Sequence, residues 1–141
     1  MEIGVGVLVV AVLAATAFGL WRRRVDGRLK QPSSAVERLT AVDLRAPLGE
    51  RATLVHFSSA FCQPCVAARR VLGEVAAMVP GTSHVEVDAE SNLDLVRHLA
   101  VMRTPTVLVL DRDGVIVRRA SGAPRKADVI AALGAAIPAE A

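Results

Sequence analysis

Aromatic side chains are scarce in this 141-residue sequence, which has three phenylalanines, one tryptophan and no tyrosine. A protein that binds nucleic acid by base stacking needs more aromatic rings, so that class is disfavoured. A basic binding face is missing too, because the net charge of +3 comes from one cluster between Arg22 and Lys30. Two cysteines are too few for the disulfide scaffold of a small secreted domain. The length leaves room for one compact domain.

One long uncharged segment accounts for the hydrophobic fraction of 52% and the mean hydropathy of +0.42. Ile3 to Trp21 carries no charge, and as a helix it is about 28 Å long, enough to cross a bilayer core. The alternative is a cleaved signal peptide, for which Ala14 to Ala17 supplies small residues but no positive region precedes the apolar run. The sequence therefore predicts that residues 1–21 form an uncleaved transmembrane anchor.

The basic cluster from Arg22 to Lys30 lies directly after this segment, and Trp21 suits the membrane interface. The positive-inside rule then predicts that the rest of the chain is cytoplasmic. A solvated stop-transfer flank explains the cluster, and specific lipid binding is the alternative. Residues 22–34 are predicted to be a basic juxtamembrane linker in which Pro32 and the serines after it discourage helix, and residues 35–141 the folded domain.

Hydrophobic periodicity predicts an α/β domain, with a central mixed sheet flanked by helices. The Asp-Gly at Asp113 predicts a hairpin, and a leading strand is expected at Leu39 to Leu44. In the last helix, Ile130 is expected to face inward together with Val129. The predicted strands are Thr53 to Phe57, His84 to Asp88, Thr106 to Leu110 and Val115 to Val117; the predicted helices are Gln63 to Val79, Asn92 to Ala100 and Arg125 to Ile137.

Two cysteines three positions apart follow the first of these strands, as Cys62-Gln63-Pro64-Cys65. Cys62 is predicted at a helix N-terminus, where free N–H groups and the helix dipole stabilise a thiolate. Cys65 lies one turn later and further inside. An exposed attacking thiol and a shielded resolving thiol are what disulfide exchange requires. Pro64 suits the first helical turn, where a missing N–H costs nothing.

Other uses of the cysteines are weaker alternatives. Zinc would need two more ligands, and the histidines at 56, 84 and 98 lack ligand spacing. Covalent haem attachment needs a histidine directly after Cys65, where Val66 stands. Two inert core cysteines remain a third possibility. No metal and no organic cofactor is therefore expected.

Around these residues the sequence resembles the thioredoxin family, from about Leu39 to Ile137. The resemblance depends on a strand leading into the Cys-x-x-Cys motif, on Val87-Asp88, on Arg103-Thr104-Pro105-Thr106, and on Asp113-Gly114 followed by Gly122. It implies a thioredoxin-like fold and a cis peptide at Thr104-Pro105 that faces the cysteine pair. Pro105 also suits the start of a strand, and the two roles are compatible.

The resemblance also implies which residues bind substrate: Phe61, Gln63, Pro64, Thr104 and Pro105. The sequence departs from the family at Phe61, where thioredoxins usually have tryptophan, and at Gln63, where they usually have glycine. A third departure is His56, which takes the place of a buried acid. His56 is either a general base for Cys65 or a core histidine bonded to a neighbour.

These observations predict a membrane-tethered thiol-disulfide oxidoreductase that reduces protein disulfides through Cys62 and Cys65. Its expected partners are a disulfide-containing protein and an upstream thiol reductant, because a reducing cytoplasm keeps the pair as a dithiol. Two alternatives stay open. One is an extracytoplasmic oxidoreductase for cytochrome maturation or disulfide formation, and the other is a non-enzymatic adaptor with the same fold.

Overall fold

A computed structural model describes residues 1–31 and 37–139. The predicted linker residues from Pro32 to Ser34 lie outside the described residues. The elements along the chain are α1 (Glu2–Val25), α2 (Ala41–Leu44), β1 (Ala52–Ser58), α3 (Gln63–Met78), β2 (Thr82–Asp88), α4 (Leu93–His98), β3 (Thr106–Asp111), β4 (Ile116–Ser121) and α5 (Lys126–Ala136).

The four strands form a mixed sheet in the order β2-β1-β3-β4. β1 runs parallel to β2, as the α3 crossover between them requires, and antiparallel to β3. β3 and β4 form the predicted hairpin, in which the Asp111 carboxylate accepts the N–H groups of Asp113 and Val115. The predicted thioredoxin-like architecture is thereby confirmed.

Apolar side chains cover both faces of the sheet, because successive strand residues point to opposite sides. Leu54 and Val107 pack with α3 and α5 on one face, whereas Val55 and Leu108 pack on the other with residues from α2 and from the end of α4. Every residue of β1 is buried. The end of this central strand is therefore a rigid base for the residues that follow it.

Two local predictions were wrong. Leu39 to Leu44 does not form a strand, because Thr40 and Asp43 make a capping box that begins α2 at Ala41. Ile130 does not face inward, since it is 40% exposed while Val129 and Leu133 occupy the buried face of α5.

The N-terminal helix α1 continues past the uncharged segment to Val25 and has no buried residue. It is long and apolar enough to cross a membrane, a property that signal sequences share. The residues after it, predicted as linker, pair with β4: Lys30 and Arg119 exchange two backbone hydrogen bonds of 2.8 Å each.

Candidate active site

The cysteine pair lies where β1 ends and α3 begins. Cys62 is the N-cap of α3, and its Sγ accepts a hydrogen bond from the Cys65 N–H at 3.2 Å. The two cysteines form a disulfide, with their Cα atoms 5.3 Å apart. Cys62 is half-buried, whereas Cys65 is only 1% exposed. This is the predicted division between an accessible sulfur and a shielded one, and a thiolate at Cys62 would find an N–H donor already in place.

The turn before Cys62 exposes an aromatic ring. Phe61 has a left-handed backbone, with φ of 59°, and its side chain is fully exposed at 104%. Gln63 and Pro64, in the first turn of α3, are exposed as well. A non-glycine residue in this backbone region costs about 1 kcal/mol. An exposed apolar ring beside the accessible sulfur is suited to contact a partner.

The loop before β3 lies against the same turn. The Thr104-Pro105 peptide is cis, as the resemblance implied. The Oγ atoms of Ser59 and Thr104 are hydrogen bonded at 2.7 Å, which joins this loop to the segment just before the cysteines. Within the described residues, the backbone N–H and C=O of Thr104 bond to no other group. Both are therefore free to pair with an extended peptide.

His56 is completely buried in β1, and within the described residues neither of its ring nitrogens has a hydrogen-bond partner. Burial lowers the pKa of His56 to about 4, although the negative charge of the Glu86 carboxylate acts to raise it. The imidazole is therefore neutral near pH 7. Alternation along β1 places it on the face of Leu54, which packs against α3, the helix that carries Cys65.

A charged pair borders this histidine. The Arg69 Nε on α3 donates to the Glu86 carboxylate on β2 at 2.7 Å, and Ser58 Oγ donates to it at 2.8 Å. These bonds, with that of Arg69 foremost, lower the pKa of Glu86 to about 2. Glu86 is the β2 neighbour of His56, and the His84 ring stacks at 6.1 Å from that of His56. Burial also lowers the pKa of His84.

Sequence reasoning missed Arg69 and Glu86. Two signals were available. The alternation of β2 puts Glu86 on the same face as His84, and Arg69 follows Cys65 by four residues, which is one helical turn. His84 also lies next to the site, because its ring stacks with that of His56. Across the described residues, no group of three His, Cys, Asp or Glu side chains is arranged to hold a metal ion.

The disulfide between Cys62 and Cys65 can accept two electrons and become a dithiol at the start of α3. This chemistry defines the class of protein as a thiol-disulfide oxidoreductase. The sequence model of the thioredoxin family matches residues 38–135. The chain therefore belongs to the thioredoxin family. Its fold and its Cys-x-x-Cys chemistry agree with that assignment.

Curated relatives support the family assignment, and solved structures support the fold. A thioredoxin of Mycobacterium tuberculosis is 33% identical over 86 residues, which cover 60% of this chain and 73% of the relative. One of Mycolicibacterium smegmatis is 33% identical over 87 residues, with 60% and 77% covered. Among solved structures, chloroplastic thioredoxin z has a TM-score of 0.58 at 24% identity, covering 74% of this chain and 96% of its own. A Halobacterium salinarum thioredoxin has a TM-score of 0.58 at 15% identity, covering 65% and 80%. At these identities the structures support the fold alone.

Proposed function

We propose that this protein is a membrane-tethered reductase of protein disulfides. The observation that carries the proposal is the pairing of a half-buried, N-capping Cys62 with a shielded Cys65. An accessible thiolate can attack a partner disulfide, and a protected thiol can resolve the product.

The exchange proceeds in two steps. Cys62 thiolate attacks one sulfur of the substrate disulfide, and the other substrate sulfur leaves as a thiolate that takes a proton from solvent. Cys65 then loses its proton and attacks the Cys62 sulfur, which releases the second substrate thiolate and closes the disulfide seen in the structure. Two electrons pass to the substrate, and an upstream thiol reductant restores the dithiol.

His56 accepts the Cys65 proton in this proposal. It is neutral near pH 7 and buried on the face of β1 that meets α3. Negative charge that develops on Cys65 favours the protonated imidazole. Because Glu86 is held by Arg69 and Ser58, it is a fixed charge beside the histidine.

The substrate lies across the turn and the loop that flank Cys62. Phe61, Gln63 and Pro64 supply an exposed surface, and Thr104 offers its backbone N–H and C=O to an extended segment. Pro105 is buried and has no N–H, so the groove presents no other donor at that position.

Membrane attachment is supported by α1, which has no buried residue and carries three arginines in its last turn. These arginines favour a cytoplasmic domain, where cellular reductants hold the pair reduced. A reporter fused to the C-terminus, with carbonate extraction of membranes, tests this part of the proposal. An externally exposed reporter, or a cleaved N-terminus, would contradict it.

The cysteines provide the test of the reaction. Cys62→Ser should abolish turnover of a protein disulfide, because the attacking sulfur is lost. Cys65→Ser should attack but not resolve, and should therefore accumulate mixed disulfides on non-reducing gels. Retained turnover in Cys62→Ser would overturn the mechanism, and no turnover by the wild type would favour the non-enzymatic adaptor.

A further inference from the structure

The segment after α1, residues 26–30, lies against the edge of the sheet. The N–H of Gly27 donates to the Ser121 carbonyl at 2.8 Å, and Lys30 pairs with Arg119. Gly27 has a φ of 75°, and a Cβ added there would lie 2.1 Å from the Ala123 carbonyl oxygen. The close approach therefore requires glycine. We call residues 26–30 the docking segment.

The docking segment also meets the loop that holds the cis-proline. The Asp26 carboxylate accepts a hydrogen bond from Arg103, the residue before Thr104, at 3.2 Å. Gly122 donates its N–H to the Pro105 carbonyl at 2.7 Å, and a Cβ added at Gly122 would lie 3.1 Å from both the Gly27 nitrogen and the Arg103 guanidinium. The half-exposed ion pair adds little by itself, so the backbone bonds and the glycine contact maintain the docking.

This contact fixes the height of the substrate groove above the membrane. α1 is continuous from the uncharged segment to Val25, so Asp26 lies about 8 Å of helix rise beyond Trp21. A headgroup layer is about 5–8 Å thick. With Trp21 at the edge of the hydrocarbon core and α1 along the membrane normal, Arg103 and the Thr104-Pro105 loop would lie just outside the headgroups. With a flexible linker, the distance between the groove and the membrane surface would vary widely, whereas a docked segment keeps that distance constant.

We infer that the protein acts preferentially on disulfides presented close to the bilayer surface, in the juxtamembrane parts of membrane proteins, with the docking segment as the positioning element. This inference rests on the proposed function and uses the same two-electron exchange. A disulfide at the height of the groove meets Cys62 at a high effective concentration, and one held further out does not.

The test uses the full chain in lipid vesicles, together with disulfide peptides that carry a transmembrane anchor and helical spacers of increasing length. A soluble disulfide peptide measures the reaction without positioning. Gly27→Val disrupts the docking segment. An insertion of about eight Gly-Ser residues between Val25 and Asp26 leaves the segment docked on β4 but lets the distance between the domain and the membrane vary. Gly4→Val is the matched control, since a Cβ at Gly4 meets nothing within 4 Å.

The wild type and Gly4→Val should reduce the peptide with the shortest spacer about tenfold faster than that with the longest. Gly27→Val and the insertion should lose most of this preference when each rate is divided by that variant's own rate on the soluble peptide, which corrects for any change in the groove itself. A wild type that reduces the soluble peptide but shows no dependence on spacer length would overturn the inference, as would a preference that survives both changes. Failure of the wild type on every peptide would instead overturn the proposed function.

Discussion

The buried imidazole of His56 makes a defined prediction about stability and pH. Burial lowers the pKa of His56 to about 4 in the folded protein, from 6.5 for the unperturbed group. The unfolded chain therefore takes up a proton first as the pH falls. The contribution of the neutral imidazole to the free energy of unfolding is fully present above about pH 6.5 and is lost as the pH falls toward 4. Between about pH 7.5 and pH 5, these two pKa values correspond to a loss of about 2 kcal/mol.

His56→Leu removes this titration and should therefore weaken the dependence of the free energy of unfolding on pH. At neutral pH the variant should be about 1 kcal/mol more stable, because it replaces a buried ring that has no hydrogen-bond partner with an apolar side chain of similar size. Urea unfolding of the full chain in detergent, in the disulfide form and followed by circular dichroism, measures both effects. His98→Asn, at an exposed position on α4, controls for the loss of a histidine.

Glu86 does not interfere with this measurement. Its pKa is lowered to about 2, so its contribution is present above about pH 4.5 and is lost only as the pH falls below that value. The half-buried His84 has a pKa lowered in the same direction as that of His56 and adds to the pH dependence of stability, but it is present in both proteins. If the wild type and His56→Leu lost stability in parallel from about pH 7.5 to pH 5, the reasoning about His56 would be refuted.

Two further predictions concern the surface of the site and the charged pair. Phe61→Ser should raise KM for a protein disulfide several-fold and leave the rate with a small disulfide unchanged, because only a protein substrate covers the exposed ring. Equal effects on both substrates would contradict this role. Arg69→Gln should raise the pKa of Glu86, measured by NMR titration, with only a small loss of stability because the arginine is exposed. An unchanged Glu86 titration would contradict the ion pair as the cause of its lowered pKa.

Local sequence patterns predicted the strands, the long helix and the cysteine site, because each is encoded by neighbouring residues. The cis peptide at Thr104 came from resemblance to a family, since proline alone gives only a low frequency of cis bonds. The short helix α2 was not predicted, although Thr40 and Asp43 have the spacing of a capping box, because the apolar residues between Leu39 and Leu44 also fit a strand.

Other features depend on contacts between distant parts of the chain. Arg69 and Glu86 meet only after α3 packs on β2, and the docking segment meets β4 after about ninety intervening residues have folded. No periodicity in residues 26–30 encodes that contact. Gly27 was the available local signal, because a glycine followed by a short polar stretch can mark a close backbone approach.

The reduction potential of the Cys62-Cys65 pair tests the central claim most directly. The full chain in detergent would be equilibrated against defined thiol buffers, and the dithiol fraction counted by thiol alkylation. A cytoplasmic reductase predicts a value near about −270 mV, as for thioredoxin-type reductants. A value near about −120 mV, typical of a strong oxidant, would contradict the reductase role and with it the proposed orientation of the domain.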